Sequence, residues 1–266
     1  RRPALSLGAW ETFGGYCGPV GPRECIFRAF NLGITHFDFA NNYGRPPGRA
    51  ETIVGRILRE MPREELIVST KAGYRMWPGP YGDGSSRKYL LASLDQSLLR
   101  LGVDYVDIYY SHRFDPETPL AETIGALDQV VREGKALYVG LSNYPAEQLA
   151  AACQLAERKG WAPITIHQSR YNILDRAVEK ELLPAAREAG AGVIVYSPLD
   201  QGLLTNKYLG EIPDDSRAAK LWSEEQRKEH LASARLARIK QCNEIALPLR
   251  QPLAQMARCV PVPDVL

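Results

Sequence analysis

From Ile34 onward, short apolar runs alternate with longer stretches whose apolar residues recur every three or four positions, and the rhythm holds to about residue 196. The runs ITHFDF (34–39), ELIVSTK (65–71), YVDIYYS (105–111), ALYVGLS (136–142), PITIHQS (163–169) and GVIVYS (192–197) have strand composition, and ALSLG (4–8) is a candidate strand ahead of them. Stretches near 21–32, 50–60, 87–101, 119–133, 145–159 and 176–189 carry helical spacing. Glycine in LGV, EGK and AGAG stands where a chain leaving a helix turns left-handed. Strand, helix, strand in this rhythm implies a parallel sheet. Strands that are apolar on both faces imply that helices cover it.

A doubly wound Rossmann-type sheet and a (β/α)8 TIM barrel both meet that description. The barrel is favoured, because at least six units follow without a break and no GxGxxG joins the first strand to its helix. The glycines of FGGYCGPVG and PGPYGDGSS have the wrong spacing for that fingerprint. With no internal repeat and no shift of composition, residues 1–266 read as a single domain. After residue 197 the pattern loosens. SPLDQGLLTNKYLGEIPDDSR reads as a long loop and residues 223–246 as one long helix. The segment ALPLRQPLAQMARCVPVPDVL specifies neither a final strand nor a final helix, so the barrel is expected to be incomplete at its C-terminus.

Composition narrows the function classes. Thirty-three Lys and Arg against 31 Asp and Glu give +2, with 45% hydrophobic and 24% charged residues. That balance offers no basic reservoir for phosphates and no acidic excess to keep the chain unfolded, so neither a nucleic-acid partner nor bulk disorder is expected. No apolar run approaches the roughly 18 to 20 residues that span a bilayer, and RRPALSLGAW lacks the apolar stretch of a secretory signal. A cytoplasmic chain without a membrane partner is expected, and a homo-oligomer is left open. Cys17, Cys25, Cys153, Cys242 and Cys259 are odd in number and form no CxxC pair, so they read as reduced thiols.

In such a barrel the chemistry sits at the C-terminal ends of the strands. The runs end in Asp38 followed by Asn41, Asn42 and Tyr43; in Lys71; in Ser111 and His112; in Ser142 and Asn143; in Gln168; and in Tyr196 and Ser197. Singly, each is ambiguous: Asp38 or Asn41 can cap a helix, Lys71 can reach solvent and His112 can sit on the surface. Together they suggest a pocket in which Asp38 fixes Lys71 by an ion pair and Lys71 sets a positive charge beside Tyr43. A nearby cation favours phenolate and lowers a tyrosine pKa from about 10, which makes a general acid. A neutral His112 can orient a carbonyl oxygen beside it. No GxSxG serine or thiol motif supplies a nucleophile, and His36, His112, His167 and His230 form neither HxH nor HExxH, so no metal is expected. The remaining reagent has to be a bound one.

These segments resemble the aldo-keto reductase family. GITHFDFANNYG contains the family's aspartate and tyrosine, IVSTKAG its lysine and YVDIYYSHR its histidine, in the family's order. GKALYVGLSNY, IHQSRYNIL and VYSPLDQGLLTNKYL are further family blocks. MWPGPYGDGSSRKYLLASLDQSLLRLG is most similar to a bacterial branch related to the β-subunits of voltage-gated potassium channels. The resemblance covers about residues 4 to 217. It implies Tyr43 as general acid, Lys71 and Asp38 as its tuning pair, and His112 orienting the substrate oxygen. NADPH would give hydride to a small aldehyde or ketone of the glyceraldehyde 3-phosphate or methylglyoxal kind.

The resemblance further implies that Ser142, Asn143 and Gln168 hold the nicotinamide carboxamide and that Tyr196 stacks on its ring. Ser197, Pro198, Leu199, Gln201, Gly202 and Lys207 follow the pyrophosphate, with Arg217 nearby and Trp10 also on the coenzyme side. Trp10, Tyr74, Trp77 and Tyr81 are candidates for an aromatic mouth over the substrate, and Arg75 or Arg113 for a substrate phosphate. The departure lies at the C-terminus. ARCVPVPDVL matches neither the family's last strand, with its Gly-Ala-Ser-like turn, nor the helix that holds the adenosine end, and the family's amino-terminal hairpin has no counterpart. Unless something covers that gap, reduced stability is expected. Two other readings compete: a coenzyme-binding interaction subunit like the channel β-subunits, and an aldolase with Lys71 as Schiff-base nucleophile, which Asp38 opposes by keeping the lysine charged.

Overall fold

The computed structural model describes residues 4–11, 13–14 and 20–258. Among them are seven strands: β1 (Ser6–Gly8), β2 (His36–Asp38), β3 (Ile67–Ala72), β4 (Val106–Ser111), β5 (Ala136–Ser142), β6 (Ile164–Arg170) and β7 (Gly192–Tyr196). They form one sheet whose spatial order repeats the order in sequence, and β1 through β6 pair in parallel. Helices α1 (Val20–Asn31), α2 (Arg49–Leu58), α3 (Arg87–Leu101), α4 (Leu120–Arg132), α5 (Ala146–Lys159) and α6 (Leu182–Glu188) follow the first six strands in turn. A strictly sequential parallel order is that of a (β/α)8 barrel, whereas a doubly wound sheet reverses direction at a switch point. The fold is therefore α/β of the barrel class.

The chain packs as two compact units, residues 1–168 with 184–192, and residues 169–183 with 193–266. In the first, Val68, Val106, Ile108, Val139, Leu141 and Ile166 from the strands and Ile26, Val54, Leu90, Leu94, Leu127 and Leu149 from the helices are all buried. Each such side chain contributes about 1.5–3 kcal/mol on leaving water. Leu137 and Tyr138, at the start of β5, are half exposed, so the two-faced burial expected of every strand begins there only at Val139. Gly102, Gly134 and Gly190 are left-handed, as the sequence predicts, and Gly160 closes α5 in the same conformation.

The second unit packs around Leu203, Leu204, Tyr208, Ala218, Trp222, Ile239, Leu253 and Ala257. Its helices are α7 (Arg217–Lys220), α8 (Glu224–His230), α9 (Ser233–Ala246) and α10 (Leu253–Arg258). The single helix expected over 223–246 is two, broken at Leu231 and Ala232. Leu231 and Leu236 both pack on the core, but an unbroken helix would set them about 140° apart at about 100° per residue. The break removes that conflict. The helix expected over 176–189 is likewise a 3-10 turn at Ala177–Glu179 followed by α6. Pro184 falls in the first turn of α6, where its missing N–H loses no bond; a helix running in from 176 would need that donor.

The expected loop after 197 holds two 3-10 turns, Asp200–Gly202 and Asn206–Tyr208. In the C-terminal segment the structure adds α10, which buries Leu253 and Ala257, one helical turn apart. Residues 259–266 lie outside the described residues, as do Cys17 and Cys259. Cys25, Cys153 and Cys242 carry free thiols. Among the described residues no helix is long and apolar enough to cross a membrane.

Candidate active site

Alternation along a strand puts His36 and Asp38 on one face of β2, and Ser69 and Lys71 on one face of β3. Parallel register sets Asp38 opposite Ser69 and Lys71 opposite Tyr110. Asp38 lies at the centre of the resulting network. Its Oδ2 accepts from Lys71 Nζ at 2.6 Å and from Gln168 Nε2 at 3.2 Å, and its Oδ1 from Ser69 Oγ at 2.6 Å. Ser69 in turn bonds His36 Nε2 at 2.9 Å. The Lys71 ammonium also donates to the Phe39 carbonyl at 2.6 Å, which commits two of its three N–H groups.

Lys71 is 0% exposed, so the solvent-reaching lysine that its position allowed is ruled out. Breaking a buried pair of this kind costs about 3–5 kcal/mol, because one charge is left uncompensated. Burial pushes the Asp38 carboxyl up, but the charges of Lys71 and His36 and the bonds from Lys71 and Ser69 outweigh it and hold the group below the usual carboxylate range. Burial brings the Lys71 ammonium below the ordinary lysine value, against the opposing pull of Asp38 and Glu51.

Tyr43 is delivered by the turn between β2 and α2. Its N–H donates to the Ala40 carbonyl at 3.1 Å, and its own carbonyl accepts from Ala50 N–H at 3.1 Å. The turn needs Gly44, whose φ is 98° and whose absent Cβ would stand 2.7 Å from Ala50 N. Half-buried Tyr43 then presents its ring 5.3 Å from Lys71 Nζ. His112 stands near the same ring, edge-on with ring centres 5.9 Å apart. Tyr74 packs edge-on against the same imidazole at 4.7 Å, so aromatic packing fixes the His112 ring. Gly73 allows this, because a Cβ there would lie 3.0 Å from His112 Cβ. Burial first, then repulsion from Lys71, lowers the His112 pKa from 6.5 to about 3. The imidazole is thus neutral near pH 7, and among the described residues its buried Nδ1 has no hydrogen-bond partner.

Asp38, Tyr43, Lys71 and His112 therefore meet at one strand-end rim, within the first unit. Ser142, Asn143 and Gln168 are in the same unit. Asn143, left-handed at φ 57°, donates from Nδ2 to the His112 carbonyl at 3.0 Å and to Ser142 Oγ at 3.1 Å. One hydroxyl and two amides suit a carboxamide, and a buried, unpartnered His112 Nδ1 is an unmet polar demand, so these residues fit the nicotinamide end of a coenzyme.

Tyr196, Ser197, Pro198, Leu199, Gln201, Gly202, Lys207 and Arg217 lie in the second unit, where Ser197, Gln201 and Gly202 are left-handed and Lys207 is exposed. Trp10 is exposed just after β1. Of the proposed aromatic mouth, Tyr74 touches His112. Trp77 packs on Tyr89 at 5.2 Å, and exposed Tyr81 lies under Lys88. Arg113 donates to the Gly73 carbonyl at 2.6 Å and to Asp83 at 2.8 Å.

Sequence reasoning missed Ser69 and His36, although each lies two residues from a member of the tetrad on the same strand face. It also missed a deeper group: buried Glu51 accepts from Thr70 Oγ1 at 2.6 Å and from Arg100 Nε at 2.7 Å. A glutamate in helix-patterned ETIVGRIL gives no cue of this, because its partners come from β3 and α3.

The family profile described as the Aldo/keto reductase family matches residues 4–259. L-glyceraldehyde 3-phosphate reductase of Escherichia coli (strain K12) is 52% identical over 263 residues, covering 97% of this chain and 76% of that protein. A protein named probable voltage-gated potassium channel subunit beta, from Arabidopsis thaliana, is 39% identical over 221 residues, covering 81% and 66%. NADH-specific methylglyoxal reductase of Escherichia coli (strain K12) is 37% identical over 238 residues, covering 82% and 70%.

Proposed function

The chain belongs to the aldo/keto reductase family and is an oxidoreductase; from that premise we propose that it is a cytoplasmic, single-domain reductase of small aldehydes and ketones that uses NADPH, with Tyr43 as general acid. The observation that carries this reading is the fully buried Lys71 ammonium, paired with Asp38 and standing 5.3 Å from the Tyr43 ring, with neutral His112 edge-on to the same ring.

The coenzyme, when bound, supplies the hydride to the carbonyl carbon. Tyr43 supplies the proton to the carbonyl oxygen. As that proton leaves, the phenol oxygen gains charge, and the Lys71 ammonium, paired with Asp38, stabilises it. His112, neutral and fixed by Tyr43 and Tyr74, donates a hydrogen bond to the same carbonyl oxygen and orients it. Ser142, Asn143 and Gln168 hold the carboxamide of the nicotinamide, with Trp10 on the same side. Tyr196 lies against the ring. Ser197, Pro198, Leu199, Gln201, Gly202, Lys207 and Arg217 take the phosphates, and the cations among them favour NADPH over NADH. Tyr74, Trp77 and Tyr81 contact the substrate. The names of the relatives support glyceraldehyde 3-phosphate and methylglyoxal as the kind of substrate.

Steady-state loss of absorbance at 340 nm tests the reading with NADPH or NADH and a panel of short aldehydes. Aldehyde-dependent oxidation, with the higher kcat/KM for NADPH, is expected. Quenching of Trp fluorescence by coenzyme without any turnover would favour the interaction-subunit reading, which the channel-subunit relatives make the principal competitor.

A further inference from the structure

The turn after β7 is left-handed at four of its six positions, Ser197 (φ 54°), Asp200 (φ 46°), Gln201 (φ 58°) and Gly202 (φ 98°). Glycine adopts that conformation freely; the other three do so only if their surroundings hold them there. Part of the hold is local. Asp200 N–H donates to Ser197 O at 2.9 Å, Gly202 N–H to Leu199 O at 2.9 Å, and Asn172 Nδ2 to Ser197 O at 3.2 Å. Leu203 N–H to Asp200 O and Leu204 N–H to Leu199 O, both at 3.1 Å, and Thr205 Oγ1 to Gly202 O at 2.6 Å belong to the same local set, and one side chain adds to it. Asp200 is 1% exposed, and its carboxylate accepts from Arg170 Nη2 at 2.9 Å on one oxygen and from Arg235 Nη2 on the other. Arg170 is the last residue of β6, and Arg235 lies in the first turn of α9. The two guanidinium groups line a cavity of about 500 Å³ together with Asp175, Glu229 and Arg238.

An acid in a turn that receives phosphates would repel them if it faced outward. Here it faces inward, and two guanidinium groups neutralise it, so what remains of its influence is geometric. We propose that Arg170, Asp200 and Arg235 form a clamp that keeps the Ser197–Gly202 turn in the left-handed shape that receives the coenzyme phosphates. Asp200 is then a positioning residue for coenzyme binding. This inference rests on the function proposed above.

Asp200→Asn and Asp200→Gly test it, because asparagine tolerates and glycine welcomes a positive φ, so neither variant adds backbone strain. Amide hydrogen exchange across residues 197–204 is read first, in the coenzyme-free protein. The dissociation constant for NADPH follows from fluorescence quenching, and KM and kcat from turnover. Exchange in the turn is expected to quicken at least tenfold in both variants. The NADPH dissociation constant should rise at least tenfold, with KM for coenzyme rising more than kcat falls. Arg235→Lys, which keeps the charge, should lie nearer the parent than Arg235→Met. Unchanged exchange would overturn the clamp whether or not coenzyme binds. Faster exchange with unchanged NADPH affinity would overturn its role in binding. A parent chain that binds no coenzyme would overturn the proposed function, and the exchange result would still decide the clamp.

Discussion

At the scale of single residues, the site sets its ionisation states by burial and then compensates them. Lys71 and Asp38 are buried as an ion pair, Asp38 receives three donors, and burial lowers the Lys71 ammonium below the ordinary lysine value against the opposing pull of Asp38. Burial and repulsion from Lys71 lower His112 to about 3 against the opposing pull of Asp38, and burial lowers His167 to about 4, against an ordinary 6.5. Between pH 6.5 and about 4 the unfolded chain binds two protons that the folded chain refuses. Stability therefore rises with pH through that window and is lost as pH falls, by about 1.4 kcal/mol per pH unit for each histidine. Urea unfolding from pH 7 to 4.5 should show that slope, and His112→Gln should reduce it by about half. An unchanged slope in the variant would show that His112 is protonated in the folded chain. What the sequence exposed at this scale was the set of strand-end polar residues. What it hid were Ser69, His36, Glu51 and Asp200, whose partners are fixed by register and packing and not by spacing along the chain.

At the scale of elements, small residues decide how closely loops approach. A Cβ at Gly73 would stand 3.0 Å from His112 Cβ and 3.2 Å from Arg113 N, a tight approach that the residues after β4 would have to relieve by shifting. Gly73→Ala should displace the imidazole by a few tenths of an ångström. Near the reacting atoms such a shift is expected to cost on the order of tenfold in kcat/KM, while the melting temperature moves little. Unaltered kcat/KM would mean that the His112 position is not set by this approach. The strands and the first five helices were legible from periodicity, since burial on one or both faces imposes it directly. The breaks at Leu231 and in the 176–189 stretch were not. The first depends on which way Leu231 and Leu236 must face, and the second on where Pro184 falls within a helical turn.

At the scale of the whole molecule, the alternation of strand and helix up to residue 196 was enough to place the sheet order and the barrel class, because a parallel sheet leaves few ways to return the chain. The second unit was less legible. Its core is assembled from short helices and turns such as α7, α8 and the Asp200–Gly202 turn, none long enough to carry a period. The family likeness, not the pattern, pointed to its residues. The roles proposed for the tetrad and for the coenzyme residues meet only in catalysis, so the decisive measurement is kinetic. The parent chain and Tyr43→Phe, each saturated with NADPH, are mixed rapidly with aldehyde, and a single turnover is followed by coenzyme fluorescence. Loss of the phenolic proton donor should slow that turnover by about 10²–10⁴ while NADPH still binds within about twofold of the parent. A Tyr43→Phe chain that transfers hydride at the parent rate would contradict the account at its centre.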